Sequence, residues 1–294
     1  MAEVQYKVAK SVKEAASMMA AAKGKGYILA GGTDLLVQMK SGMRSPGTII
    51  DVKKIPEMVT ITEKNGAFKI GAATPAAVMG EHKKLKKAWP GVVEAANLIG
   101  STQVQGRASV GGNLCNASPA ADSVPALVAA GATVQIQGPR GKREVPVEKF
   151  NAGPGKTTLK PGEIVVSFTL PKRPPKSSDA YLRLIPRTEM DIAVVGVGVS
   201  LTMKGDTVTA ARVGLGAVAP TVLAVPAAAK ALVGSKLDDK ALAAAAAACS
   251  AACRPIDDKR GTIKYRTKIA GVLLKRAAGI ARDRINGIAH EGHR

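Results

Sequence analysis

Two stretches of this 294-residue chain hold the residue types and spacing for ligand chemistry. The first is Ala30-Gly31-Gly32-Thr33-Asp34-Leu35-Leu36. The second runs from Ser109-Val110-Gly111-Gly112-Asn113 through Leu114-Cys115-Asn116-Ala117 to Ser118-Pro119-Ala120-Ala121-Asp122. Each sets paired glycines beside small polar side chains and a carboxylate. Glycine pairs permit positive φ and let a backbone come close to a ligand. Consecutive amide N–H groups in such a turn converge on an anion. Two loops of this kind point to a ligand with more than one phosphate, a dinucleotide. Asp122 stands where it can accept a hydrogen bond from a ribose hydroxyl; its competing role is N-cap of a helix beginning at Ser123.

Other chemistries lack their residues. His82 falls in a lysine-rich stretch, and His290 and His293 fall in the C-terminal tail. None has the partners for a nucleophilic triad or a zinc set, and surface roles are expected. There is no G-x-x-x-x-G-K-[ST] phosphate loop and no G-x-G-x-x-G behind a strand. Cys249 and Cys253, four apart in an alanine-rich segment, are expected to share a helix face and pack as apolar groups. Cys115 lies inside the second glycine stretch, close to the ligand but without chemistry of its own. Three cysteines give no disulfide framework. What remains is a protein whose cofactor carries the chemistry while the chain supplies position and electrostatics, with no catalytic side chain and no metal.

The length suffices for two domains, each with its own core. A hydrophobic content of 46% argues against disorder, and an aromatic content of 3% leaves Ala, Val, Leu and Ile to build the interior. No apolar run reaches the length of a membrane span. Met1 to Lys10 has no signal-peptide core, so a cytoplasmic location is expected. Lysine and arginine number 43 against 22 acidic residues, a net charge of +21, which raises nucleic-acid binding as an alternative. Against it, the basic residues are dispersed. The densest groups, Lys83-Lys84 with Lys86-Lys87, Lys172-Arg173 with Lys176, and Lys259-Arg260 with Lys264 and Arg266, have no aromatic ladder between them for base stacking. A basic surface facing acidic partner subunits is the simpler reading.

The elements that must position the two loops follow from local pattern. Val4 to Ala9 reads as an edge strand, and Ser11 with Glu14 as a capping box opening a helix to about Lys23. Tyr27 to Leu29 is a strand entering the first loop, and Thr33 N-caps a helix to about Met39 whose dipole faces the ligand. Thr48 to Val52 is a strand. Met58 to Thr62 and Ala67 to Gly71 form a hairpin on Asn65-Gly66. Thr74-Pro75 and Trp89-Pro90 open helices, and Thr102 to Ala108 leads into the second loop. Val124 to Ala130 is apolar, Ala132 to Gln137 pairs with Arg143 to Pro146, and Glu163 to Leu170 is a strand. The Pro/Lys-rich stretch 171–179 has linker composition and divides the chain. Beyond it come strands Ala180 to Ile185, Ile192 to Met203 and Thr207 to Ala217, then helices Pro226 to Leu232, Ala241 to Cys253, and Lys259 to about Asn286, the last with possible breaks at Gly271 or Gly279. Strands followed by helices make an α+β pattern.

These motifs resemble those of a known family, the FAD-binding medium subunit of molybdenum hydroxylases, which includes carbon monoxide dehydrogenase and the middle region of xanthine dehydrogenase. Ala30 to Leu36 resembles its first flavin motif. Ser109-Val110-Gly111-Gly112-Asn113 resembles the second, usually Thr-Ile-Gly-Gly-Asn, and Ser118-Pro119-Ala120-Ala121-Asp122 its extension. Arg187-Thr188-Glu189-Met190-Asp191-Ile192-Ala193 and Asp257-Asp258-Lys259-Arg260-Gly261 with Tyr265-Arg266 resemble two C-terminal signatures. The resemblance spans nearly the whole chain, and five motifs in order make it specific. It implies an α+β fold: a two-subdomain FAD-binding domain of the PCMH type, vanillyl-alcohol-oxidase-like, at 1–176 (subdomains about 1–55 and 56–176), then a smaller C-terminal domain of antiparallel sheet plus helices at 177–294. It implies FAD contacts at Ala30, Gly31, Gly32, Thr33, Asp34, Leu35, Leu36, Val110, Gly111, Gly112, Asn113, Asn116, Ser118 and Asp122, and further ones at Val165 and Arg183. Tyr181 and Ile185 to Met190 are expected over the isoalloxazine. It also implies partners: a large molybdenum-cofactor subunit and a small subunit with two-iron clusters, in a dimer of heterotrimers that hands electrons to an external acceptor. One branch, 4-hydroxybenzoyl-CoA reductase, adds a cysteine-bearing loop for a further iron–sulfur cluster; the short loops and three cysteines here leave no room for it. The alternatives are a stand-alone flavin reductase on a related fold and a basic nucleic-acid-binding protein.

Overall fold

The structure, a computed structural model, describes residues 4–290; His293 lies outside them. The chain opens with β1 (Gln5–Val8), α1 (Val12–Ala21), β2 (Gly26–Leu29), α2 (Leu35–Lys40) and β3 (Thr48–Asp51). β3 lies between β1 and β2 and is parallel to both. The expected capping box forms: Ser11 Oγ accepts from the Glu14 N–H, and Glu14 reaches back to the Lys10 N–H. Thr33 is not the cap of α2. Asp34 holds that position without a side-chain bond, and the loop ahead of it is left to face outward.

A second, five-stranded antiparallel sheet has the order β4-β5-β10-β6-β7. Its strands are β4 (Ile61–Lys64), β5 (Ala67–Gly71), β6 (Thr133–Gly138), β7 (Gly141–Pro146) and, after a small hairpin β8 (Asn151–Gly153) and β9 (Lys156–Thr157) that the sequence did not announce, the central β10 (Ile164–Leu170). β10 is the run Ile-Val-Val-Ser-Phe-Thr-Leu, buried at nearly every position, as befits a strand covered on both faces. Asn65 and Gly66 take φ of 52° and 81° and turn the β4–β5 hairpin as expected. Met58, read as strand, belongs instead to a helical turn, α3 (Pro56–Val59), started by its proline. Between β5 and β6 lie short helices: α4 (Ala76–Glu81), α5 (Lys83–Ala88), α6 (Pro90–Ala96), α7 (Thr102–Gln105), α8 (Val110–Cys115) and α9 (Ser123–Ala129). Thr74 does not cap α4; Pro75 precedes its first residue. His82 caps α5 by accepting the Leu85 N–H on Nδ1, a more definite role than a bare surface residue.

The remainder is the antiparallel sheet β11 (Ser177–Leu184), β12 (Val195–Lys204), β13 (Thr207–Gly216) and β14 (Leu223–Ala224), packed by α10 (Pro226–Leu232), α11 (Asp239–Ala252) and α12 (Ile263–Ile285). The strand read from Ile192 begins at Val195. Val195, Val197 and Val199 on β12 enter the core under these helices. Gly198 on the other face, with Gly214 on β13, lets the wholly buried α9 press against the sheet: a Cβ on either would stand 2.5 and 2.3 Å from the Pro125 carbonyl oxygen. α12 runs unbroken, capped by Thr262, and Gly271 lets Ala246 of α11 pack closely against it. Cys249 and Cys253 are packed apolar groups; burial pushes their thiols up to about 12 and about 11. Where β11 meets α6, Arg173 lies over the Trp89 ring and pairs with Asp179, whose other oxygen accepts the Val92 N–H. Arg284 of α12 binds the Asp179 carbonyl and Glu94. Among the described residues no helix is long and apolar enough to cross a membrane.

Candidate functional site

The two glycine motifs meet. Gly31 packs so closely on the chain leading into α8 that a Cβ there would lie 2.0 Å from the Arg107 carbonyl oxygen. Gln38 of α2 donates to Asn116 Oδ1 at 2.9 Å, a second tie between the same segments. Together they line a cleft of about 540 Å³ between the parallel sheet and the five-stranded sheet. Ala30, Gly31, Gly32, Thr33, Asp34 and Leu35 form one wall; Gly111, Gly112, Asn113 and Asn116 form the opposite one, with Val165 of β10 between them.

The first wall offers donors. Among the described residues, the backbone N–H groups of Gly31, Gly32, Thr33 and Asp34 make no hydrogen bond within the chain. Four free donors in succession along a cleft suit a polyanion. Gly32 has φ of +78°, the backbone the sequence anticipated.

The second wall works differently from expectation. Val110–Cys115 is a helix, not a loop, N-capped by Ser109. Gly111 N–H donates to the Ala72 carbonyl, Gly112 N–H to Ser109 Oγ and Asn113 N–H to the Ser109 carbonyl, so these amides are already used. Its glycines serve close approach, not anion capture. Gly111 seats the helix on Ala72, and exposed Gly112 leaves the cleft open. Asn113 Oδ1 accepts from the Ser123 N–H and hydroxyl, tying α8 to α9.

Five candidates do not line the cleft. Val110 is wholly buried, Leu36 is half-exposed, and Ser118 Oγ accepts the Ala120 N–H. Asp122 makes no cap bond to the helix after it, which removes its competing role. It forms an ion pair with Arg183 of β11, 3.0 Å apart, and both side chains are nearly out of solvent. Tyr181 is buried, with no hydrogen-bond partner for its hydroxyl. Conversely, Tyr27, Arg44, Thr157, Lys160 and Glu163 line the cleft without having been singled out. They come from a strand face, a loop, the end of β9 and the β9–β10 connection, and no local pattern joins them.

Burial raises the Asp122 carboxyl to about 6 against the lowering effect of Arg183. A carboxyl raised in the folded state holds a proton that the unfolded chain releases near pH 4. Stability therefore falls as pH rises from about 4 to about 6, by on the order of 2–3 kcal/mol. Denaturant unfolding across that range is expected to show this slope in the wild type and to lose it in Asp122→Asn; an unchanged slope in the variant assigns it to other groups.

The residues present fit a dinucleotide with a diphosphate: consecutive free amides on one wall, a bare glycine on the other, and enough length between them. Among the described residues, no cluster of His, Cys, Asp or Glu is arranged to hold a metal ion.

Comparison with known proteins is consistent along the chain. The family described as "FAD binding domain in molybdopterin dehydrogenase" matches residues 2–173, and "CO dehydrogenase flavoprotein C-terminal domain" matches 180–281. The carbon monoxide dehydrogenase medium chain of Hydrogenophaga pseudoflava is 34% identical over 277 residues, 94% of this chain and 96% of that one. A putative xanthine dehydrogenase FAD-binding subunit of Escherichia coli K12 is 33% identical over 196 residues, 66% of this chain and 67% of that one. The structure of reconstituted CO dehydrogenase from Oligotropha carboxidovorans superposes with a TM-score of 0.92 at 33% identity, over 96% of this chain and 98% of that one.

Proposed function

We propose, because this chain belongs to the FAD-binding flavoprotein family of molybdopterin dehydrogenases, that it is the electron-transfer subunit of a heteromeric molybdenum hydroxylase. Its cofactor is FAD, and it is an oxidoreductase subunit whose organic substrate is oxidised on another chain. Electrons originate at a molybdenum site in a large subunit, pass through two-iron clusters of a small subunit, and leave this chain for an external acceptor. The assembly is a dimer of such heterotrimers in the cytoplasm. Residues 1–176 act as the FAD-binding domain, with subdomains about 1–55 and 56–176, and 177–294 as the C-terminal domain.

The observation that carries this is the run of free amides from Gly31 to Asp34 facing Gly112 across the cleft. These amides hold the diphosphate, and the helix α8 wall fixes how deep the dinucleotide sits. Asn113 and Asn116 present side-chain amides to it, and Val165 its apolar surface. Leu36 and Val110 act from behind, packing the two walls in place. Ser118, Asp122 and Arg183 extend the contacts past Asn113, where a buried ion pair gives a fixed polar surface that does not need to reorganise. Bound FAD supplies a redox group that takes up electron pairs and passes electrons on.

Titration of the purified full chain with FAD is expected to give saturable, non-covalent uptake of one equivalent, read by flavin fluorescence. Rapid reduction of that flavin is expected only when the partner subunits and their substrate are added. A chain that stays colourless in excess FAD overturns the assignment. Steady turnover of a small substrate with NADPH by the isolated chain assigns it instead to stand-alone reductases.

A further inference from the structure

We propose that Arg44 is a cationic clamp for the diphosphate of the bound dinucleotide and gives the cleft its preference for FAD over flavins without that group; this rests on the flavin assignment above. Arg44 belongs to the loop between α2 and β3. Its backbone N–H donates to the Gln38 carbonyl at 3.1 Å, folding the loop back beside the α2 residue that bridges to Asn116. Its guanidinium carbon lies 5.8 Å from the centroid of the Tyr27 ring, and both residues are half-buried in the cleft wall. An arginine over an aromatic face spends the flat side of the guanidinium on that contact. The in-plane N–H groups stay free to fork onto a phosphate.

Those donors have nothing else to bind. Among the described residues, the Arg44 guanidinium makes no hydrogen bond and has no carboxylate within 4.0 Å. This sets it apart from Arg143, Arg173, Arg183, Arg266 and Arg284, each of which faces an Asp or Glu. Lys160 is the other cation in the cleft lining. It sits beside Glu163, whose carboxylate is bound by Arg143 and by the Lys160 N–H. Arg44 is thus a half-buried charge without a compensating carboxylate among the described residues, on the same cleft as a run of free amides. Amides alone neutralise a diphosphate only in part; a guanidinium on the same cleft completes the site. An arginine fork selects tetrahedral oxyanions over neutral ligands, so the recognised chemistry is the phosphoanhydride and not the isoalloxazine.

The test uses three probes on the full chain: FAD, ADP, which has the diphosphate without the flavin, and riboflavin, which has the flavin without phosphate. Arg44→Gln is expected to weaken FAD and ADP by about 10–100-fold, as for loss of a charge-assisted pair, and to leave riboflavin within twofold. The dependence of FAD affinity on salt should also become shallower. Arg44→Lys should fall between, since it keeps the charge but loses the fork. Tyr27→Leu should weaken FAD by a few-fold by freeing the guanidinium. The unfolding midpoint of Arg44→Gln should match wild type. If FAD and ADP bind Arg44→Gln within twofold of wild type, or riboflavin weakens as much as FAD, the clamp is overturned while the flavin assignment stands. If the wild type takes up no FAD, both fall.

Discussion

Gly112→Val is expected to give a folded chain that no longer takes up FAD. Gly111→Val, one residue earlier, is expected to lose the fold. Gly112 is exposed on the cleft face of helix α8, and a Cβ there meets only Ser109 Oγ, at 3.3 Å. The added side chain therefore grows into the ligand's space while the helix loses a residue of poor propensity, so stability should stay within about 1 kcal/mol of wild type. Affinity for FAD should fall by about 100-fold or more, the equivalent of roughly 3 kcal/mol of steric conflict. Gly111 has no such freedom. Its Cβ would stand 2.2 Å from the Ala72 carbonyl oxygen, which the Gly111 N–H already binds. Ala72 is itself held by its N–H to the Val166 carbonyl on the central strand. Neither backbone can yield, and even Gly111→Ala should cost about 3 kcal/mol, the upper end for overpacking. Circular dichroism, thermal unfolding and flavin fluorescence separate the two effects. Wild-type affinity in Gly112→Val would show that α8 does not wall the ligand site.

The contrast explains why the second motif reads as a loop in the sequence yet folds as a helix. Two adjacent glycines depress helix propensity by about 1 kcal/mol each, so the local signal opposes the helix that forms. Tertiary contacts decide it: the Ser109 cap, the bond from Gly111 to Ala72 and the burial of Leu114. Several readings that rest on local information agree with the structure, although the Thr33 and Thr74 caps do not form. The Ser11–Glu14 box, the Asn65-Gly66 turn and the helix Pro226–Leu232 each rest on residues a few positions apart. Half of the cleft was legible for the same reason, since Gly31 to Leu35 and Gly111 to Asn116 are each one short stretch. The other half was not. Tyr27 and Arg44 meet through the β2–β3 pairing, and Lys160 with Glu163 arrives from before β10. Asp122 shows the same limit in reverse. Its position before Ser123 suggests a cap, yet its carboxylate faces Arg183, which only the docking of β11 brings near.

The C-terminal signature that marks the family ties backbone segments together, and its removal should lower stability strongly. Arg266→Met is expected to cost about 3 kcal/mol, because methionine leaves the carbonyls of Val194, Ala217 and Gly261 without the buried guanidinium that held them. Its side chain is 4% exposed. It donates to the carbonyls of Val194 at 2.8 Å, Ala217 at 3.3 Å and Gly261 at 3.3 Å, and to Asp258 Oδ1 at 2.6 Å. One guanidinium thus ties the lead-in to β12, the end of β13 and the turn before α12. Arg266→Lys should not rescue it, because a single ammonium cannot span acceptors in several directions. Asp258 adds a pH signature. Partial burial raises its carboxyl, but the Arg260 N–H and the Arg266 guanidinium outweigh that and hold it below the usual carboxylate range. A lowered carboxyl stabilises the fold above its unfolded value and loses that contribution on acidification, so stability should fall as pH drops below about 4. Asp258→Asn should lose that component. None of these residues lines the cleft. Where the Arg266→Met protein is still folded, its FAD affinity should therefore stay within about threefold of wild type by titration, while its unfolding midpoint drops. A large loss of FAD affinity in folded Arg266→Met protein would instead place the signature in the ligand site.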